Sequence, residues 1–306
     1  MRRLPAPDLI LIACVAIWGL NVTISKYALG HGFSPLSWAA PRFTIATLLF
    51  VVIARTRQGS LALDRGDMRR LALWGGVVLS SNQIGFTWSL HFASAATVSL
   101  LFGMMPVLAG IFSQLLGVER LGSRRWFAAG ISFTGVALVA IGATTGLHTS
   151  VGGILLALYG PASFALYSIM LAPLVRRHGT LRVNALASLF CLPVLLTASV
   201  PELVHTDWGA VTSLAWLALA FSAIVAYAPT NLLWFHAVSQ VGTTRAAMYI
   251  NLQPFFGAVS ALLLLSEQIH ALQWIGGVMI VAGIVLSRLP ALQAPAIEVE
   301  AAAPHE

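Results

Sequence analysis

The sequence predicts an all-α integral membrane protein with ten transmembrane helices, arranged as two inverted repeats of five helices each. Three observations predict this fold: an apolar composition, an internal repeat, and basic residues at alternate helix ends. Of the 306 residues, 58% are hydrophobic and only 9% are charged. Soluble domains carry roughly 25% charged residues, so a lipid bilayer is the solvent for most of this surface.

The internal repeat relates the stretch 106–135 to the stretch 254–283. Identities at a single offset of 148 residues include Pro106 with Pro254, Glu119 with Glu267, Trp126 with Trp274, and Gly135 with Gly283. Each copy is typical of a hydrophobic helix entered near a Pro and ended by a Glu, followed by a second helix that opens at a Trp. Because repeats define architecture, the chain is predicted to consist of two related halves.

Ten apolar runs follow a short basic N-terminal segment at 1–8, and each approaches the ~20 residues that cross the hydrocarbon core. We place them near 9–29, 36–54, 71–90, 94–116, 124–143, 152–173, 183–200, 209–235, 245–265 and 272–288. The first run is too long for a cleaved signal peptide. The first repeat therefore spans 9–143 and the second 152–289, while the Ala-, Pro- and Glu-rich tail at 290–306 is expected to be disordered.

The basic residues orient these helices. Of 17 Lys and Arg residues, 15 fall at alternate helix ends, and the loops at the opposite ends contain none. Since positive residues stay cytoplasmic, both termini are expected in the cytoplasm. An odd number of helices per half then turns the second half upside down, which is typical of secondary transporters with a substrate site near the midplane.

Several other classes are disfavoured. The basic residues form short clusters between apolar runs, so no nucleic-acid partner is expected. Cys14 and Cys191 lie inside apolar runs, which indicates neither a disulfide nor a metal site. Without a P-loop, ATP hydrolysis is not expected, and no cofactor is predicted. Two alternatives stay open: an integral-membrane enzyme, although no catalytic motif stands out, and a non-transporting sensor or assembly protein, which would lack a continuous central cavity.

Several short motifs resemble the EamA-type members of the drug/metabolite transporter superfamily. The stretch 18–21 reads Trp-Gly-Leu-Asn and is followed by Lys26, Arg42 precedes a Phe, and each repeat carries the Pro…Glu pair. The second half departs from the pattern at 162–165, where Trp-Gly does not recur. The resemblance covers roughly 9–289 and implies export of small metabolites, often amino acids, from the bacterial cytoplasm across the inner membrane.

Polar and aromatic residues inside spanning helices usually face the bundle interior, and here many recur at helical spacing on one face. Together they predict an amphipathic cavity suited to a small zwitterion or a planar metabolite, with aromatic or hydrophobic amino acids as the first substrate hypothesis. The alternative is interhelical hydrogen bonding and interfacial aromatic belts. The substrate-binding candidates are Trp18, Asn21, Asn82, Gln83, Phe86, Tyr159, Ser163, Tyr227, Asn231, Trp234, Tyr249 and Gln253.

Five further residues are candidates for charge or movement. Lys26 and Arg42 are the cations outside the cytoplasmic clusters; each either binds a substrate carboxylate or donates to backbone carbonyls at a helix end. His236 either titrates near neutral pH or packs between helices. Pro106 and Pro254 are predicted to break a hydrogen bond in mid-helix, which makes both candidate hinges or gates.

The mechanism expected from these features is gradient-driven alternating access. No Asp or Glu lies near the middle of a predicted span, so a carboxylate proton relay lacks its residue and proton coupling is left open. Because two inverted halves form one pathway, a monomer is sufficient for transport, and a homodimer would be an addition.

Overall fold

A computed structural model describes residues 6–118, 122–144, 150–242, 246 and 249–288, and the described elements are all helical. The predicted disordered tail at 290–306, residues 1–5 of the N-terminal segment, and Glu119 lie outside the described residues. The described residues of the predicted apolar runs are helical except at 94, 103–104, 116, 209–212 and 251–252.

The first half contains seven α-helices and one π-helical segment. They are α1 (Ala6–Leu29), α2 (Pro35–Gln58), α3 (Arg65–Leu71), π1 (Ala72–Leu79), α4 (Ser80–Phe92), α5 (Ala95–Phe102), α6 (Met105–Leu115) and α7 (Ser123–Thr144). In the second half the described elements are α8 (Val151–His178), α9 (Thr180–His205), α10 (Ser213–Ala220), π2 (Phe221–Tyr227), α11 (Ala228–Val241), α12 (Gln253–Leu265) and α13 (Ala271–Arg288).

Within the described residues, six continuous helical stretches are long and apolar enough to cross a membrane. They are α1, α2, α7, α8, α9 and the run from α10 through π2 to α11. The pair α5 and α6, bent by 43°, makes a seventh if it counts as one span. Helices α12 and α13 are apolar but shorter. The chain is therefore an all-helical, multi-pass membrane protein.

The offset of 148 residues also relates the helix boundaries. Helices α3 and α10 begin 148 residues apart, and so do α6 and α12, and α7 and α13. The two π segments end 148 residues apart, at Leu79 and Tyr227. The capping side chains before α3 and α10, Asp64 and Thr212, have the same separation. The halves therefore share their pattern of helix starts and irregularities.

Helices α7 and α13 pack closely and run antiparallel. A Cβ atom on Gly135 would lie 2.6 Å from the carbonyl oxygen of Gly276, and a Cβ on Gly283 would contact Ala128 and Ser132. The hydroxyl of Ser132 donates to the Ile280 carbonyl at 3.4 Å. Ser132 and Ile280 are themselves 148 residues apart, as are Gly135 and Gly283. Each residue of α7 at this contact therefore has its repeat equivalent on α13 in the same contact. This is the arrangement produced by a two-fold axis perpendicular to the two helices.

Candidate functional site

Pro106 and Pro254 lie in the first turns of α6 and α12, so the prediction that they break a hydrogen bond in mid-helix is wrong. A proline is tolerated in the first helical turn because its missing N–H has no intrahelical partner there. The chain breaks instead just before each proline, at 103–104 and at 251–252. These breaks are equivalent in the two halves. They also approach each other, since a Cβ on Gly103 would lie 3.2 Å from Cγ of Pro254.

A chain of polar side chains connects α2, α4 and α8. Nη2 of Arg42 donates to Oε1 of Gln83 at 2.8 Å, and Nε2 of Gln83 donates to Oδ1 of Asn82 at 3.2 Å. Nδ2 of Asn82 then donates to the Gly160 carbonyl at 2.8 Å and to the Ser163 hydroxyl at 3.0 Å. The structure therefore brings four of the sequence candidates into one buried network.

A second group of candidates surrounds π2. The indole N–H of Trp18 donates to the Ala226 carbonyl at 3.2 Å, and Nδ2 of Asn231 donates to the Tyr227 carbonyl at 2.6 Å. The rings of Trp18 and Trp234 lie 5.1 Å apart. π-Helical turns are rare and frequently mark functional sites. Here side chains from α1 and α11 satisfy carbonyls of the π segment.

Tyr227 lies near both groups. Its hydroxyl is 3.0 Å from the hydroxyl of Ser188, and Phe43 packs edge-on against its ring at 5.5 Å. Phe43 follows Arg42 in α2, so this ring contact places Tyr227 beside the part of α2 that carries Arg42. The polar chain and the π2 group are thus neighbours, with an aromatic residue between them.

The other candidates lie in separate surroundings. The hydroxyl of Tyr159, which is 40% exposed, donates to Ser81 at 2.7 Å, and Phe86 packs edge-on against Phe102. The hydroxyl of Tyr249 donates to the buried Asp8 at 2.7 Å, a partner that no sequence pattern indicated. His236 is exposed and lies 2.9 Å from the amide of Gln240. Gln253 is half-buried at the start of α12.

Asn21 and Asn251 each contain a buried Oδ1 atom without a hydrogen-bond partner among the described residues. Asn251 lies in the break before α12. Buried amide oxygens are usually satisfied, so both atoms are acceptors available to a bound molecule.

Lys26 adopts the second of its two predicted roles. Its Nζ donates to the carbonyls of Leu90 and Ala93, at 2.6 and 3.0 Å, which closes the C-terminal end of α4. Beside it, the carboxylate of Glu267 accepts hydrogen bonds from the first two amides of α5, both at 2.9 Å. Glu267 therefore caps a helix of the other half, as favoured for an anion at a helix N-terminus.

A cluster that sequence analysis missed lies between α3 and α8. The side chains of Asp64, Asp67 and His178 place one potential ligand atom each within 4.8 Å of the others. Nε2 of His178 lies 2.7 Å from Oδ2 of Asp67, while Asp64 accepts from the Asp67 amide at 2.8 Å. That backbone hydrogen bond lowers the pKa of the Asp64 carboxyl below its ordinary value. An Asp-x-x-Asp cap was the available signal, and these contacts account for the cluster as a helix cap and a His–Asp hydrogen bond.

The model of the EamA-like transporter family matches two stretches of this chain, 6–141 and 151–289. "Probable terminal-alkyne amino-acid exporter" of Streptantibioticus cattleyicolor is 27% identical, covering 89% of this chain and 92% of its own. "Probable amino-acid metabolite efflux pump" of Escherichia coli is 26% identical, with coverages of 89% and 91%. One protein of known crystal structure matches with a TM-score of 0.62 and 18% identity, covering 94% of this chain and 99% of its own. That last similarity shows a shared fold.

Proposed function

We propose that this chain, which belongs to the EamA-like transporter family, exports amino acids or related small metabolites across the bacterial inner membrane. Membership of a transporter family and the apolar helices make it a multi-pass membrane transporter of small molecules. The amino-acid class is supported by the names of two relatives, an amino-acid exporter and an amino-acid metabolite efflux pump. The aromatic pair Trp18 and Trp234 beside Tyr227 favours aromatic or hydrophobic amino acids.

The architecture we propose is ten transmembrane helices in two inverted repeats, 9–143 and 152–289. The observation that carries it is the antiparallel packing of α7 on α13, in which equivalent residues such as Ser132 and Ile280 touch each other. Two antiparallel helices related by such an axis belong to halves of opposite orientation. Inverted repeats are the usual frame for alternating access around a site between the halves.

The elements that would move in this mechanism are the equivalent irregularities of the two halves. Gly103, in the first break, packs against Pro254, which follows the second break, and π1 and π2 occupy matching positions. Broken helices expose backbone polar groups only where protein or a water-filled cavity covers them. We therefore infer that the breaks, with Pro106 and Pro254 behind them, border the central cavity and act as its hinges.

The first experiment is uptake of labelled amino acids into liposomes that contain the purified protein alone, without an ion gradient. Saturable uptake that is lost in Trp18→Ala and Asn231→Ala would support a carrier with its site beside π2. Trp126→Ala is the matched control, because this indole is 45% exposed on α7, and we expect it to keep wild-type uptake. No uptake of any amino acid by folded protein would favour a sensor instead.

Orientation is tested by labelling single cysteines with a membrane-impermeant maleimide in intact cells. Ser60 and Gly209 are both exposed and lie in loops predicted on opposite sides of the membrane. We expect Gly209→Cys to be labelled in intact cells and Ser60→Cys only after lysis, as cytoplasmic termini require. The reverse pattern would contradict the proposed direction.

Energy coupling is tested by counterflow between internal and external substrate at equal pH. Acidic side chains near the helix ends are engaged: Asp8 with Tyr249, Glu202 with the Leu36 amide, and Glu267, in the loop after α12, with the α5 amides. We therefore expect counterflow to persist without a pH gradient in a single, monomeric carrier. Strict dependence on an imposed gradient would indicate proton coupling.

A further inference from the structure

Arg42 is a buried cation within an apolar bundle. It is 5% exposed and lies seven residues after the start of α2, which places it roughly 10 Å below that end of the helix. A charged side chain at this depth costs free energy and usually pairs with another group or lies on a substrate pathway. Its partners therefore decide its role.

The partners of Arg42 leave most of its hydrogen-bonding capacity unused. A guanidinium has five N–H donors, and among the described residues Gln83 supplies its single acceptor. Nε is fully buried and has no partner. Arg42 thus contrasts with Lys26, whose ammonium group donates to two carbonyls at a helix end.

No carboxylate among the described residues neutralises Arg42. Asp8 accepts from Tyr249, Glu202 accepts from the Leu36 amide, and Glu267 caps α5. The side chain that the guanidinium does contact, Gln83, is a neutral amide. A buried guanidinium with unused donors and no counterion among the described residues can accommodate an anion.

The surroundings of Arg42 hold the guanidinium in place. Gln83, which receives its hydrogen bond, is itself held by Asn82, and Asn82 is anchored to α8 through the Gly160 carbonyl and Ser163. Oriented donors of this kind need little reorganisation when an anion arrives. A planar carboxylate is the anion that a guanidinium can bind through two parallel hydrogen bonds.

We propose that Arg42 binds the carboxylate of the transported amino acid, with Gln83 orienting the guanidinium. This assignment rests on the proposed function, because it takes the anion to be part of the substrate. It explains why a cation without a counterion lies between α2 and α4, one aromatic residue away from the Trp18 group. It also predicts selectivity: a substrate whose carboxylate is replaced by an amide loses the charge-assisted hydrogen bonds.

The test compares L-phenylalanine and L-leucine with their amides, as ligands that raise the thermal stability of the purified protein and as competitors of uptake. We expect wild type to bind each acid about 10- to 100-fold more tightly than its amide, the range for hydrogen bonds to a charged group. Arg42→Gln should remove this preference, and Arg42→Lys should reduce it. Arg177→Gln, which removes an exposed positive charge at the end of α8, should leave it unchanged.

Three outcomes would overturn the assignment: an unchanged preference in folded Arg42→Gln, an equal loss of acid and amide binding, or no stabilisation of wild type by either acid. If Arg42→Gln does not fold, the acid–amide comparison in wild type and Arg42→Lys decides, because a lysine keeps the charge but not the paired donors. Stabilisation that depends on Arg42 without any uptake would retain the site and reject the transport function. Uptake without a preference for the acid over the amide would retain the transport function and reject the Arg42 site.

Discussion

Replacing Gly135 by Ala should loosen the contact between α7 and α13 by an amount that the structure specifies. The added Cβ would lie 2.6 Å from the Gly276 carbonyl oxygen, whereas ordinary contacts begin at 3.4 Å, so the two helices must separate by 0.8 Å. Overpacking of this kind typically costs about 1–3 kcal/mol. Alanine also gains about 0.5–1 kcal/mol over glycine within a helix, which partly offsets that cost.

Gly130→Ala isolates the packing contribution. Gly130 lies on the same helix, and a Cβ there meets nothing within 4 Å, so this variant shows only the helical gain. Equilibrium unfolding in mixed micelles, followed by circular dichroism, should give free energies of unfolding that differ by about 1–3 kcal/mol between the two variants. Equal free energies would refute the close contact of α7 and α13 and, with it, the main structural support for inverted halves.

Three other perturbations have defined outcomes. Glu267→Ala leaves two amides of α5 without their acceptor and should lower the free energy of unfolding by about 0.5–2 kcal/mol; an unchanged value would show that water replaces the cap. The folded pKa of Asp64 is lowered from 3.8. The Asp64 carboxylate therefore adds to the free energy of unfolding above pH 3.8, and this addition is lost as the pH falls through the folded pKa. Asp64→Asn should therefore flatten the acid side of the stability profile, and an unchanged profile would contradict this. Cys14 and Cys191 are at most 1% exposed and should react with maleimide only after unfolding, so rapid labelling of folded protein would reveal an opening beside α1 or α9.

The repeat was readable from the sequence because its identities involve scarce residues. Pro, Glu and Trp at one offset indicated two related halves, and the same offset then reappears in the starts of α3, α6 and α7 relative to α10, α12 and α13. Hydrophobic length was similarly informative for the six continuous helical stretches. Both signals can be read from the sequence without knowing how the helices pack.

Local irregularities were harder to predict. The mid-helix placement of Pro106 and Pro254 was wrong because a proline in an apolar run has the same appearance whether it bends a helix or begins one. The π segments leave no mark in a hydrophobic pattern, since an extra residue per turn changes hydrogen bonding without changing composition. Gly130 faces open space whereas Gly135 packs against α13, and this difference depends on the rotation of α7 about its axis, which the sequence does not show.

The candidate residues could be named from the sequence, but their partners could not. Arg42 and Gln83 are 41 residues apart, and Trp18 and Ala226 are 208 apart. Helical spacing shows which residues share a face of one helix, whereas these contacts depend on which helices become neighbours. The division of the candidates into a polar chain and a π2 group therefore required the tertiary structure.

The contact of α7 with α13 also constrains how the protein is made. After α7 ends at Thr144, 126 residues must be synthesised before α13 begins at Ala271, which takes roughly 6–25 s at the usual rate of translation. During that time the small-residue face of α7 lies in the membrane without its partner. The close α7–α13 contact can therefore form only after nearly the whole second half has been made, so it belongs to the last stage of assembly.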